Sequence, residues 1–218
     1  MGYNVAIDGP AGAGKSTIAK LVAKEKGYIY VDTGAMYRGM AIHFLDKGIR
    51  AKETDQIISA LNDAEVTIRY EEGLQQVYLN GRNITDRLRE EEVGKMASLT
   101  SAIPQVRQKL LELQKGLART QDVIMDGRDI GTCVLPDADV KIYLTASVET
   151  RAKRRYDELT EKGIACDLDE IKRDIKERDE RDSTREIVPL KQAEDAVLVD
   201  SSHMTIDEVV AAIVKLCR

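Results

Sequence analysis

One stretch near the start of the chain restricts its possible folds more than any other. Gly9-Pro10-Ala11-Gly12-Ala13-Gly14-Lys15-Ser16-Thr17 satisfies the pattern G-x-x-x-x-G-K-[ST]. The apolar run Val5-Ala6-Ile7-Asp8 before it reads as a buried strand, and residues 16–26 after it read as a helix closed by Gly27. Glycines at this spacing let backbone amides converge on phosphate oxygens. Lys15 offers a mobile positive charge to the β- and γ-phosphates, and the Ser16 hydroxyl is a ligand for Mg²⁺. The helix N-terminus adds its dipole. ATP and Mg²⁺ are therefore expected, held by residues Gly9 through Thr17. A dinucleotide loop is excluded. Gly12-Ala13-Gly14 begins G-x-G-x-x-G, but Thr17 stands at the third glycine.

Around this loop, short apolar runs alternate with longer helical patterns, as in a parallel α/β sheet. Further strands are expected at 28–31, 123–125, 140–144 and 197–199, with helices at 34–45 and 205–216. A different rhythm holds from Glu65 to Thr85. Residues 66–70 and 76–79 alternate with period two, Gly73 lies between them, and Asn80-Gly81 follows as a turn signal. This predicts a small antiparallel meander inserted in the α/β domain. With 218 residues and a single Phe, one domain with an aliphatic core and small inserts is expected.

The formal charge of -5 argues against bulk nucleic-acid binding, which needs a basic surface. Cys133, Cys166 and Cys217 are odd in number and far apart, so neither a disulfide framework nor a zinc site is expected. Free thiols suit the cytoplasm. No apolar run is long enough to span a bilayer, no signal peptide precedes Val5, and Ala6 occupies the Ser/Thr position of a myristoylation motif.

The phosphate loop alone does not separate kinases from GTPases or motors. None of the four asparagines precedes a lysine, so the guanine-reading Asn-Lys-x-Asp is missing. A small-molecule kinase fits a compact fold whose inserts close over two substrates. Asp32-Thr33-Gly34-Ala35-Met36-Tyr37-Arg38 follows the second strand, and the Thr-Gly turn places Arg38 to meet an acceptor phosphate. Asp126-Gly127-Arg128-Asp129 follows another strand, where an acidic residue commonly supports Mg²⁺, so Asp126 is a candidate.

Residues 151–185 hold 11 Lys/Arg and 11 Asp/Glu, which reads mainly as a solvated helical hairpin. Arg151, Arg154 and Arg155 fit either a mobile lid or that solvated face. Ile171, Ile175, Arg178, Asp182 and Arg185, however, share one helix face. The two isoleucines should pack inward and carry the three charged residues toward the same interior, where an anionic ligand would offset their burial. Surface or packing roles are expected for His43 and His203.

Taken together, GPAGAGKST, DTGAMYR, MDGRDIGTCVLPDADVKIYL and KERDERDSTR resemble the bacterial cytidylate kinases, with the match running from Val5 to the closing helix. The pairing of DGRD with ERDxRD and the inserted meander are its specific parts. The resemblance implies a P-loop nucleoside monophosphate kinase fold, with a five-stranded parallel sheet flanked by helices, a small antiparallel β insert and a short helical lid. It divides one kinase domain, 1–218, into a core (about 1–60, 104–147 and 186–218), a monophosphate-binding insert (61–103) and a lid with its following helix (148–185). It implies ATP with Mg²⁺ as donor and CMP or dCMP as acceptor. Ser98, Arg107 and Asp129 would face cytosine, and Arg178 and Asp182 the sugar. Arg38, Arg128 and Arg185 would hold the phosphate, with Lys15, Asp126, Arg128 and Arg185 forming the catalytic set. Thr33 stands where the family often has Ser, which keeps the hydroxyl and adds a methyl. A cytoplasmic monomer that binds neither nucleic acid nor membrane is expected. A kinase for UMP, AMP or shikimate, a nucleotide-binding switch, and nucleic-acid binding through the arginine-rich segment remain alternative readings.

Overall fold

The computed structural model describes residues 2–218. The chain divides into two compact units, one made of the described residues up to Tyr30 together with Gln121–Arg218, the other of Val31–Thr120.

The first unit is built on a five-stranded sheet, and each of its strands is a short aliphatic run. They are β1 (Asn4–Asp8), β2 (Ile29–Asp32), which starts in this unit, β6 (Val123–Gly127), β7 (Val140–Thr145) and β8 (Val197–Asp200), in the order β2-β6-β1-β7-β8. The pairings β1–β6, β1–β7 and β7–β8 are parallel. β1 is central, and Val5, Ala6 and Ile7 are wholly buried, as expected for a strand covered on both faces. Helix α1 (Lys15–Lys26) lays Ile18, Ala19 and Val22 on the sheet, and α8 (Ile206–Val214) adds Val209, Val210 and Ile213. Thr205 and Glu208 cap α8 reciprocally. Gly27 closes α1 in the left-handed conformation, with its amide on the Ala23 carbonyl. A charged hairpin completes the unit, α6 (Val148–Glu161) against α7 (Leu168–Thr184).

The second unit has α2 (Thr33–Asp46) at its centre, with Met36, Met40 and Phe44 wholly buried. Around it lie α3 (Thr54–Ala60), α4 (Glu91–Thr100), α5 (Pro104–Thr120) and the expected meander, β3 (Val66–Glu71), β4 (Leu74–Leu79) and β5 (Arg82–Asn83). The loop expected at 71–75 is tighter than its sequence suggested. Glu72 and Gly73 alone turn the chain, at φ 51° and 76°, and Asn80-Gly81 repeats the device at 50° and 79°. Two successive positive φ values match the twist of the strands they join. Gly39 lets the meander close on α2, since a Cβ there would sit 3.3 Å from Val77 Cγ1. His43 is buried, its Nε2 lying 3.0 Å from the Ala60 carbonyl, so it packs α2 against α3 as expected. Among the described residues, no helix is long and apolar enough to cross a membrane.

Candidate active site

The phosphate loop has the shape its glycines require. Gly9 has φ 147°, and a Cβ there would overlap the Leu144 carbonyl oxygen at 1.9 Å. Gly12 and Gly14 take φ of 76° and 89°. Gly14 caps α1, and its carbonyl accepts from the Ile18 amide at 3.0 Å, whereas the amides of a helix's first turn have no partner within the helix. Lys15 is buried, and its Nζ donates to the Pro10 carbonyl at 2.8 Å. Burial and the Arg128 guanidinium push its ammonium well below the usual lysine range, with Asp126 and Asp8 opposing them. A phosphate beside Lys15 would restore its charge preference.

Asp126 is the penultimate residue of β6 and meets this loop. Its Oδ2 accepts from Ser16 Oγ at 3.0 Å and its Oδ1 from the Tyr30 hydroxyl at 2.8 Å. This hydroxyl and carboxylate are hard oxygen donors. Mg²⁺ takes one or two carboxylates and completes its shell with phosphates and water, so Ser16 and Asp126 fit it. No group of three His, Cys, Asp or Glu suited to an all-protein metal cage occurs among the described residues.

Two residues beyond Asp126, the same loop gathers the charged groups expected for the acceptor. Arg128 Nε donates to Asp182 Oδ2 at 3.1 Å, so the loop and α7 meet through this partly buried pair. Arg185 Nη2 lies 3.9 Å from Asp129 Oδ1, and both side chains are more than nine-tenths buried. Arg178 lies half-buried one turn before Asp182.

On α7 Ile171, Ile175 and Arg178 are only partly buried and Asp182 alone is buried, and the expected face does not extend to Arg185. Helix α7 ends at Thr184, and Arg185 is extended at φ -60°, ψ 138°. The hydroxyls of Ser183 and Thr184 both donate to the Glu180 carbonyl, competing with the helical amide ladder. Arg185 reaches the interior from the following loop, with its Nε donating to the Val188 carbonyl. Val188 has φ 49°, a strained value for a β-branched residue of the sort that clusters at functional sites.

Arg151 also departs from the solvated-face reading. It is 4% exposed, and its guanidinium donates to the Ala11 carbonyl of the phosphate loop at 3.0 Å. The same group grips Asp179 of α7 through two bonds, at 3.0 and 2.5 Å, and its Nε donates to the Ala146 carbonyl. Arg154 donates to the Ser201 carbonyl, while Arg155 pairs with Glu158 at the surface. Asp8, Tyr30 and Asp179 also escaped sequence reasoning. Only the position of Asp8, between a buried strand and Gly9, signalled it.

The remaining expected residues lie in the second unit. Asp32 caps α2 by accepting from the Ala35 amide at 2.9 Å, and its other oxygen holds Arg38 Nη2 at 2.9 Å. What reads in sequence as a Thr-Gly turn is thus the first turn of α2, with Thr33 buried. Gln75 braces Asp32, accepting from its amide and donating to its carbonyl. Arg107 is buried on α5, its guanidinium 5.8 Å from the Tyr37 ring centre and one nitrogen donating to the Ser101 carbonyl. Ser98 Oγ on α4 is buried without a hydrogen-bond partner.

The cytidylate kinase family model matches residues 5–218. This chain belongs to the cytidylate kinase family. The cytidylate kinase of Caldicellulosiruptor saccharolyticus is 50% identical over 98% of this chain and 94% of its own, and that of Lactobacillus johnsonii is 50% identical over 98% and 93%. A crystal structure of an uncharacterized protein from Eubacterium ventriosum covers 98% of this chain and 96% of its own at a TM-score of 0.53 and 14% identity, a likeness of fold alone. Cytidylate kinases are ATP-dependent phosphotransferases with CMP as acceptor, and this chain is such an enzyme.

Proposed function

We propose that this cytidylate kinase transfers the γ-phosphoryl of ATP to CMP and dCMP with the help of Mg²⁺, using one loop, Asp126 to Asp129, for both substrates. The observation that carries the reading is the pair of carboxylates three residues apart on that loop. Asp126 holds Ser16 of the phosphate loop, and Asp129 stands by Arg185. A rigid strand end thereby sets the spacing between donor and acceptor chemistry.

Phosphoryl transfer needs positioning and charge stabilisation more than covalent help. Lys15 meets charge on the transferring oxygens, and Arg128 and Arg185 hold the acceptor phosphate. Bound Mg²⁺, at Ser16 and Asp126, would neutralise β- and γ-oxygens. Asp129 accepts from the cytosine amine, and Arg178 and Asp182 serve the sugar. Thr33, Arg38, Ser98 and Arg107 are assigned to acceptor recognition on the resemblance. The partnerless Ser98 hydroxyl supports that assignment, because a buried polar atom is costly unless a ligand bonds it. A single kinase domain with a monophosphate-binding insert (61–103) and a lid (148–185) that close around substrates completes the proposal, acting as a monomer in the cytoplasm.

The test is an acceptor screen with ATP-Mg²⁺ against CMP, dCMP, UMP, AMP, dTMP and shikimate. The expected order puts CMP and dCMP first. Preference for any other acceptor would overturn the substrate assignment, and slow ATP consumption independent of every acceptor would point to a switch.

A further inference from the structure

The loop that carries Asp129 continues into a short π-helical turn, Ile130–Val134, whose N-terminal amides need acceptors. Asp129 occupies the cap position, where an aspartate ordinarily bonds the amides that follow it. Its side chain makes no such bond. The acceptors come from 122 residues away in sequence. Asp8 Oδ1 accepts from the Ile130 amide at 2.8 Å, and its Oδ2 from the Gly131 amide at 2.7 Å. A glycine suits this close approach, because a Cβ on Gly131 would stand 3.4 Å from Asp8 Oδ2 and 3.2 Å from Lys141 Cδ. Asp8 is also the last residue of β1. It pairs in register with Gly127, and the next residue is Gly9 of the phosphate loop.

We infer that Asp8 is a positioning residue for acceptor discrimination, capping the π-helical turn in place of Asp129 so that the Asp129 carboxylate serves the acceptor from a fixed place beside the phosphate loop. This rests on the reading of Asp129 as the residue that faces cytosine. A purely structural role does not account for Asp8 as well. A carboxylate that is 4% exposed is expensive to bury, and Asp129 is the local residue able to cap the turn without it. Burial pushes Asp8 up to about 6, against the two amide bonds, with Asp129 also raising it and Lys15 lowering it. The fold therefore bears an unfavourable ionisation where a neutral strand residue would avoid one. What the cost secures is a carboxylate clamp between the two substrate loops.

The experiment compares kcat/KM for CMP and UMP in wild type, Asp129→Asn, Asp8→Asn and Asp8→Ala, with amide hydrogen exchange at Ile130 and Gly131. Asn keeps one acceptor oxygen and turns its NH₂ toward the other donor, whereas Ala removes both acceptors. Both variants remove the same charge near Lys15. Positioning therefore predicts a graded loss. The CMP-over-UMP preference should narrow about tenfold or more in Asp8→Ala and by a smaller factor in Asp8→Asn. Exchange at Ile130 and Gly131 should quicken in step. An equal fall in both rates in both variants, with the preference intact, would mean that Asp8 acts only through its charge and would overturn the inference. So would an unchanged preference in the Asp8 variants while Asp129→Asn narrows it. An unchanged preference in Asp129→Asn overturns the base-reading assignment itself, and the role of Asp8 with it. If Asp8→Ala does not fold, Asp8→Asn decides by the same two readouts.

Discussion

Arg185 and Asp129 face each other at 3.9 Å, each more than nine-tenths buried, although Arg185 has left the helix that delivers its neighbours. Nothing in the spacing of the KERDERDSTR segment brings these two together. Arg185→Ala should leave Asp129 short of its nearby positive charge and the acceptor phosphate short of a holder. The expected result is a fall of two or more decades in kcat/KM for CMP, from the loss of a buried charge-assisted contact. ATP affinity measured without acceptor should be close to wild type. An equal loss of ATP affinity would move Arg185 to the donor side.

Lys15→Ala should abolish efficient transfer in a folded protein. Its ammonium is buried at the base of the phosphate loop, where one preorganised donor is worth ~3–4 kcal/mol to a developing charge. The expected loss in kcat is on the order of 10²–10³, with an unchanged far-ultraviolet circular dichroism spectrum. Near-normal turnover would refute the role given to Lys15.

Tyr30→Phe tests the support behind the proposed metal position. Tyr30 donates to one oxygen of Asp126 while Ser16 donates to the other. Partners of this kind orient a ligating carboxylate and are worth on the order of 10–100-fold in metal affinity. The Mg²⁺ concentration for half-maximal rate should rise by about that factor. Calorimetric binding of ATP in the presence of a chelator should not change. If the Mg²⁺ requirement stays at the wild-type level, Tyr30 does not orient Asp126 for the metal.

The buried Asp8 also makes a prediction about stability. Its carboxyl is raised from 3.8 to about 6 when folded. A group with a raised folded pKa binds its proton more tightly in the folded state, so its contribution to stability is fully present below about 3.8 and is lost as pH rises through about 6. Asp8→Asn cannot titrate. Wild type should therefore lose stability relative to Asp8→Asn between pH 4 and pH 7, by up to ~3 kcal/mol at about 1.4 kcal/mol per unit. Urea unfolding of both proteins across that range measures it. A stability difference independent of pH would show that Asp8 does not titrate there.

Local chemistry made much of this protein legible in its sequence. The phosphate loop could be read because glycines at fixed offsets, then Lys15-Ser16, force one backbone path between a strand and a helix. The Asn80-Gly81 turn could be read because few residues tolerate two successive positive φ values. The buried strands and amphipathic helices follow from the spacing of apolar residues. The contacts that join these parts were not visible, because each links side chains far apart in the chain. Ser16 meets Asp126 across 110 residues, Asp8 meets Ile130 across 122, and Arg151 reaches Ala11 across 140. Sequence patterns report which residues share an element and a face, whereas such pairs depend on how separate elements pack. The tertiary structure therefore decided that Arg151, for which a solvated face is one of two sequence readings, is buried against the phosphate loop. It also decided that Arg185 arrives from a loop, since α7 ends at Thr184 and the backbone of Arg185 is extended, which no spacing of charged residues reveals.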